Sequence, residues 1–359
     1  MDQDQDQDQD QDQDQDQDQD ENFISAVMKD FDQAHCRAAV LIKEGEGKAE
    51  PNPWLRRVGW AKHLDGFEAD LIRQTVSLDS TDGWYDSTDG RGNGNYDRDK
   101  TSLIESLDLA WQSLSRVVLA SQAACSYEEA GSAVLFEIAR KSIYVKPSTP
   151  FTSRLEPQTI QRYTNVWKRV VGYIFRTIDL DDSNRPPYKF EQDQTDTLNR
   201  FRYYLSFSVT AGSDQTDSQI QDLDRACLDF LVTLLDQQLP HSSYDSVLLS
   251  ALAAMGMRED GGWLQPDDYT GFYSAIIKVA RMFVVRQSQL EAEEAEEAGP
   301  VEEAGLARLI ETSVFSLVRK KVSRFMTIVH EARLPTPMDW IFDCRIYGLK
   351  IRFITPASG

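Results

Sequence analysis

Several things are scarce in this sequence, and each scarcity removes a class of protein. The 359 residues hold 4 Cys and 4 His. The cysteines (Cys36, Cys125, Cys227, Cys344) lie far apart and form no CxxC pair. That excludes a sequence-local zinc finger and a disulfide framework, so reduced intracellular thiols are expected. No apolar run approaches the roughly 18–20 residues of a membrane helix, and the first residues have no signal-peptide core. No Gly-Lys-Ser/Thr follows the glycines at Gly90, Gly92 and Gly94, so an ATP-binding P-loop is absent.

Base is scarce in two places. Residues 1–21 hold ten Asp, one Glu and no Lys or Arg, and residues 291–303 hold seven Glu and no Lys or Arg. Setting those eighteen acids aside takes the formal charge from −21 to −3 for the rest. The protein therefore reads as a nearly neutral body with two acidic additions. From Asp2 to Asp20 the chain is a strict Asp-Gln alternation with nothing apolar to repay ordering, and 1–21 is expected to be disordered.

What is present is helical periodicity, and the expected fold is all-α: a multi-helix globular body over 22–359, with one short C-terminal β segment. Helices are predicted at 22–44, 100–122, 126–140, 157–178, 192–207, 217–239, 242–256, 268–288 and 306–332. In 157–178, with Pro157 in its first turn, Ile160, Tyr163, Val166, Trp167, Val170, Val171, Ile174, Phe175 and Ile178 recur at spacings of three and four. Burying that stripe offers on the order of 15–25 kcal/mol before entropy. At the end of the chain Leu349, Ile351 and Phe353 alternate with Lys350 and Arg352 as a strand does. A flexible loop is expected at 79–99, rich in Asp, Gly, Ser and Asn, and a frayed extension or flexible acidic loop at 291–305, where Glu without Lys neighbours lacks helix-supporting pairs. A subdivision of the body, if any, falls near 147–150, where Pro147 and Pro150 separate helix runs.

Candidate chemistry is thin. Asn93, Asn95, Asp97 and Asp99 alternate as in a calcium loop, but Arg98 stands at the position needing Gly and Glu105 falls one residue late. His330-Glu331-Ala332-Arg333 with Tyr347 suggests the cation-plus-tyrosine set of a DNA-breaking tyrosine recombinase, as a relic. The Tyr follows the Arg by only 14 residues, and Pro335 and Pro337 break the helix between them, so a helix end carrying His and Arg is the plainer reading. No catalytic, cofactor or metal residue is assigned, and no small-molecule substrate is inferred.

Basic residues supply the remaining candidates. Arg319, Lys320, Lys321 and Arg324 cluster in one predicted helix, and Lys350 and Arg352, near Arg345, in the terminal segment. Arg162, Lys168 and Arg169 form a smaller patch on 157–178. Arg56 and Arg57 lie between Trp54 and Trp60, a set that either anchors a connector on the core or grips a nucleic-acid strand by charge and stacking. Salt-sensitive contact with DNA or RNA, or docking of another protein, is the expected partnership, with no membrane.

Several strings act together: Asn52-Pro-Trp-Leu-Arg-Arg-Val-Gly-Trp-Ala-Lys-His-Leu64, Thr159-Ile-Gln-Arg-Tyr-Thr-Asn-Val-Trp167, Phe175-Arg-Thr177, Gly262-Trp-Leu264, Tyr269 through Arg281, and Thr336-Pro-Met-Asp-Trp340 followed by Arg345-Ile-Tyr-Gly-Leu-Lys-Ile351. In this order they resemble a large filamentous-fungal family of uncharacterised proteins. Its members often begin with a two-Cys/two-His zinc finger, and some continue into a RecQ-like helicase of the telomere-linked or mobile-element type. The resemblance spans about residues 22–355 and carries no assigned chemistry. It implies a non-enzymatic, intracellular, nuclear module. Both finger and helicase are missing, so a truncated copy holding the middle helical region alone, either without function or kept as an interaction scaffold, is the expectation.

Overall fold

The computed structural model describes residues 41–45, 55, 59–80, 96–140, 147–182, 184–211, 216–235, 246–265 and 268–297. All belong to one compact unit that begins at Leu41. The Asp-Gln repeat, the predicted helix 306–332 and the C-terminal β segment lie outside the described residues.

Among the described residues the fold is all-α. It has nine helices: α1 (Trp60–His63), α2 (Ala69–Thr75), α3 (Tyr96–Ala124), α4 (Tyr127–Ile138), α5 (Pro157–Thr177), α6 (Gln192–Ala211), α7 (Asp217–Thr233), α8 (Val247–Met255) and α9 (Tyr269–Glu297). The long helices α3, α5 and α9 pack on one another; α7 joins α3 and α9, α6 covers α3 and α7, and α8 and α2 close on α5. Buried side chains from both sides of Pro147–Pro150 belong to one hydrophobic cluster.

Local signals explain most boundaries. Pro157 occupies the first turn of α5, where its missing N–H costs nothing. Thr216 and Gln219 form a reciprocal capping box on α7, and Ser126 accepts from the Glu129 amide at the start of α4. Gly131, at φ 72°, carries a kink inside α4 that a β-carbon would oppose. Along α5, Ile160, Val166, Trp167, Val170, Val171, Ile174 and Phe175 are buried, while Tyr163 and Ile178 sit at the margin.

Several expectations are corrected. The predicted helix 22–44 does not run to its end: Leu41 bridges Glu68 antiparallel, and the Ile42 amide donates to the Phe67 carbonyl at 2.9 Å. The loop 79–99 is shorter than predicted, because α3 begins at Tyr96 and no Gly or Pro follows Gly94 to delay it. Asp97 and Asp99 thus lie in a helix rather than in a calcium loop. The acidic loop 291–305 is helical through Glu297. Its partners come from elsewhere: Arg225 of α7 meets Glu294 at 3.1 Å, Arg286 meets Glu293 at 3.4 Å, and Ala292 is buried. In contrast, α7 ends at Thr233, short of the predicted 239.

Candidate functional site

Arg162, Arg169 and Arg176 stand seven residues apart on α5. A seven-residue step returns to nearly the same helix face, with a drift of about 20°. The three meet three different environments. Arg162 is exposed, its guanidinium 5.6 Å from the Tyr163 ring centre. Arg169 is half-buried. Arg176 is 4% exposed.

Arg176 shapes the site without lining it. It donates from Nη1 to the carbonyls of Thr75 (3.0 Å) and Ser77 (2.8 Å), and from Nη2 to that of Asp79 (2.6 Å). These carbonyls end α2 and begin the segment after it, so one buried cation neutralises the negative pole of a short helix and fixes its exit. The Trp111 ring lies 5.8 Å from the same guanidinium, and Trp111 donates from Nε1 to the Lys168 carbonyl at 2.9 Å.

The fixed segment forms one wall of a cleft of about 850 Å³. Arg73, Gln74, Val76, Ser77 and Leu78 line it with Met255, Met257, Arg258, Glu259, Asp260 and Leu264, and Arg169 from α5 and Phe272 from α9 complete the lining. Its apolar residues are Val76, Leu78, Met255, Met257, Leu264 and Phe272. Arg73 meets Glu259 at 3.1 Å and Asp70 at 3.3 Å, and Arg258 meets Asp260 at 3.3 Å. These pairs are exposed and contribute little stability. Arg169 pairs with no carboxylate among the described residues, and burial lowers the pKa of its guanidinium. In the same wall, Arg73 Nε and Gln74 Oε1 are sealed from solvent without a hydrogen-bond partner.

A second cluster has the residue types of a nucleophilic site. His63 Nε2 lies 2.7 Å from Ser250 Oγ, and Tyr173 OH lies 2.6 Å from the same oxygen. Serine beside histidine is the arrangement that activates a hydroxyl. Here Ser250 and Tyr173 are fully buried, on α8 and α5, with His63 on α1 nearly so. Burial drives the Tyr173 phenol well above its usual pKa. In this conformation the hydroxyl faces no solvent, and the cluster ties three helices together through otherwise costly polar groups.

The thiols are similarly enclosed. Burial pushes Cys125 up to about 12 and Cys227 higher still. No group of three or more His, Cys, Asp or Glu among the described residues could hold a metal ion, and no described helix is long and apolar enough to cross a membrane.

The predicted basic residues divide. Arg162, Lys168 and Arg169 are described, and the cleft brings Arg169 together with Arg73 and Arg258. Arg56, Arg57, Arg319, Lys320, Lys321, Arg324, Lys350 and Arg352 lie outside the described residues, as do Arg333 and Tyr347. Trp60 is fully buried against Trp263 and Tyr269 and so anchors the 60–64 segment in the core. The reading from residues alone passed over Arg73 and Arg258. They sit 185 positions apart in segments without periodicity, and only the fold joins them. Comparisons with protein-family models, with curated proteins and with solved structures return no match for this chain.

Proposed function

We propose that this chain is a non-enzymatic helical module that contacts a nucleic-acid strand. One observation carries the reading: Arg162 and Arg169 occupy one face of α5, and neither pairs with a carboxylate among the described residues. Most other described arginines meet acids, as Arg116 does Asp224, Arg202 does Asp179, and Arg200 does Asp229. The Arg162 guanidinium, beside the Tyr163 ring, suits phosphate and base together. The basic residues Arg56, Arg57, Arg319, Lys320, Lys321, Arg324, Lys350 and Arg352 extend the same chemistry along the sequence. The resemblance to helicase-associated fungal proteins agrees with this role and with a nuclear location.

The test is a titration of fluorescein-labelled single-stranded and duplex DNA with the full chain at low salt, repeated across a salt series. Binding at micromolar protein that weakens with salt is expected. Arg162→Ala should reduce the log–log salt slope by about one. No binding, or binding indifferent to salt, overturns the reading and leaves a protein-docking scaffold as the alternative.

A further inference from the structure

We propose that the cleft between α2 and the α8–α9 connection is a binding site for an organic monoanion, specifically a carboxylate carried on a flat apolar body. This goes beyond strand binding, because Arg162 does not line the cleft.

The charge of the occupant follows from the lining. Arg73 and Arg258 already hold Glu259 and Asp260, whereas Arg169, the third guanidinium of the cleft, pairs with no carboxylate among the described residues. Such a half-buried cation has given up part of its hydration with no carboxylate among the described residues to offset the loss. An arriving anion supplies what is missing. The guanidinium fork matches a planar carboxylate with two parallel hydrogen bonds. A dianion finds Arg73 and Arg258 already paired and meets the carboxylates of Glu259 and Asp260, so a phosphate monoester fits less well than a carboxylate.

The body of the occupant follows from the other wall. Met255, Met257, Leu264 and Phe272 present thioethers, a branched alkyl group and a ring. Methionine adapts to irregular contours and makes favourable contacts with ring edges, and ligand pockets are commonly apolar with a few placed polar groups. The cleft's 850 Å³ admits a fused bicyclic ring. Arg73 Nε and Gln74 Oε1, buried in the wall without a hydrogen-bond partner, gain one if either side chain turns toward an occupant.

The probe is 2-naphthylacetate, followed by its own fluorescence with the full chain, against the uncharged 2-naphthylethanol. Saturable binding of the acid is expected, with the alcohol about tenfold weaker, the worth of one charge-assisted hydrogen bond. Arg169→Gln should bring the acid down to the level of the alcohol while the melting temperature holds or rises, because an uncompensated charge is removed. Should Arg169→Gln not fold, Arg169→Lys keeps the charge without the fork and should weaken the acid several-fold while leaving the alcohol unchanged. Equal binding of acid and alcohol, saturation by neither, or unaltered acid binding in a folded Arg169→Gln overturns the site. Displacement of the acid by equimolar inorganic phosphate overturns the monoanion assignment. Arg162→Ala should leave the naphthylacetate titration unchanged, so failure of strand binding and failure of the cleft are read separately.

Discussion

The Tyr269 phenol lies across the α-carbon of Gly256, so that a β-carbon built there would overlap the phenol oxygen and the ring carbons next to it. Gly256 caps α8, and its φ of −83° is open to any residue. Space, rather than backbone freedom, requires glycine at this position. Tyr269 cannot yield, because it is fully buried with its ring 4.9 Å from that of Trp60. Gly256→Ala is therefore expected to destabilise the fold by about 1–3 kcal/mol, as overpacking does. Gly271→Ala on α9 meets nothing within 4 Å and should be neutral or stabilising by up to about 1 kcal/mol through helix propensity. Urea unfolding of the two variants checks the contrast, and equal midpoints would contradict it.

Ser250 is the hub between His63 and Tyr173. Replacing it with alanine leaves the buried Tyr173 hydroxyl without this partner and should cost about 1–3 kcal/mol. Tyr173→Phe added to Ser250→Ala should cost less than the two single changes summed, because the second removes the group that the first leaves stranded. A serine-directed fluorophosphonate should leave the folded protein unlabelled, since Ser250 is fully buried. Rapid labelling of Ser250 under native conditions would show that α8 opens.

The buried acids set an alkaline limit. Desolvation raises Cys125 from 9.0 to about 12 and Tyr188 from 10.0 to about 12, the latter against the opposing effect of its hydrogen bond with Thr177. Unfolded, these groups ionise first. Their contribution is present in full below pH 9 and falls away as pH rises from 9 toward 12. The urea midpoint should drop steeply across that window, and Cys125→Ala should flatten the drop. In a chain with Cys36 and Cys344 changed to serine, a disulfide reagent at pH 8 should find Cys125 and Cys227 unreactive until urea unfolds the protein.

How far the sequence could be read depended on whether the deciding contact was local. The stripe of α5 was legible because seven of its nine predicted side chains face one core at helical spacing. The same spacing recurs in Leu103, Leu107, Trp111, Leu114 and Val118 of α3 and in Ile220, Leu223, Cys227, Phe230, Leu231 and Leu234 of α7 and its C-cap, all buried but Leu103 and Ile220. The run Glu291–Glu297, read as a frayed extension or a loop, continues α9 as helix, and the arginine that meets Glu294 lies on α7, 69 positions earlier. Trp60 was ambiguous between core anchor and stacking surface, and only its burial decides. For the candidate site, Arg169 was visible as one of three bases on a helix. That it lies in a cleft, while Arg162 lies in solvent and Arg176 in the core, depends on segments that no periodicity announces. Arg73 and Arg258 became neighbours of Arg169 through packing alone.

Arg176 offers the sharpest separation of shape from contact at the cleft. It touches no occupant, yet its three hydrogen bonds hold the carbonyls of Thr75, Ser77 and Asp79 where the wall at Ser77 and Leu78 must stand. Lysine keeps the charge but presents a single ammonium on a flexible stem in place of the planar fork, and cannot span three carbonyls fixed by a helix end. Leaving buried carbonyls unsatisfied costs about 1–3 kcal/mol each. Arg176→Lys should therefore lower stability by a few kcal/mol and speed proteolysis after α2, measured by limited digestion under native conditions. It should also weaken binding of both 2-naphthylacetate and 2-naphthylethanol, because the wall itself is displaced, whereas Arg169→Gln should weaken the acid alone. A folded Arg176→Lys that binds both probes as the unaltered chain does would mean that the wall stands without the clamp.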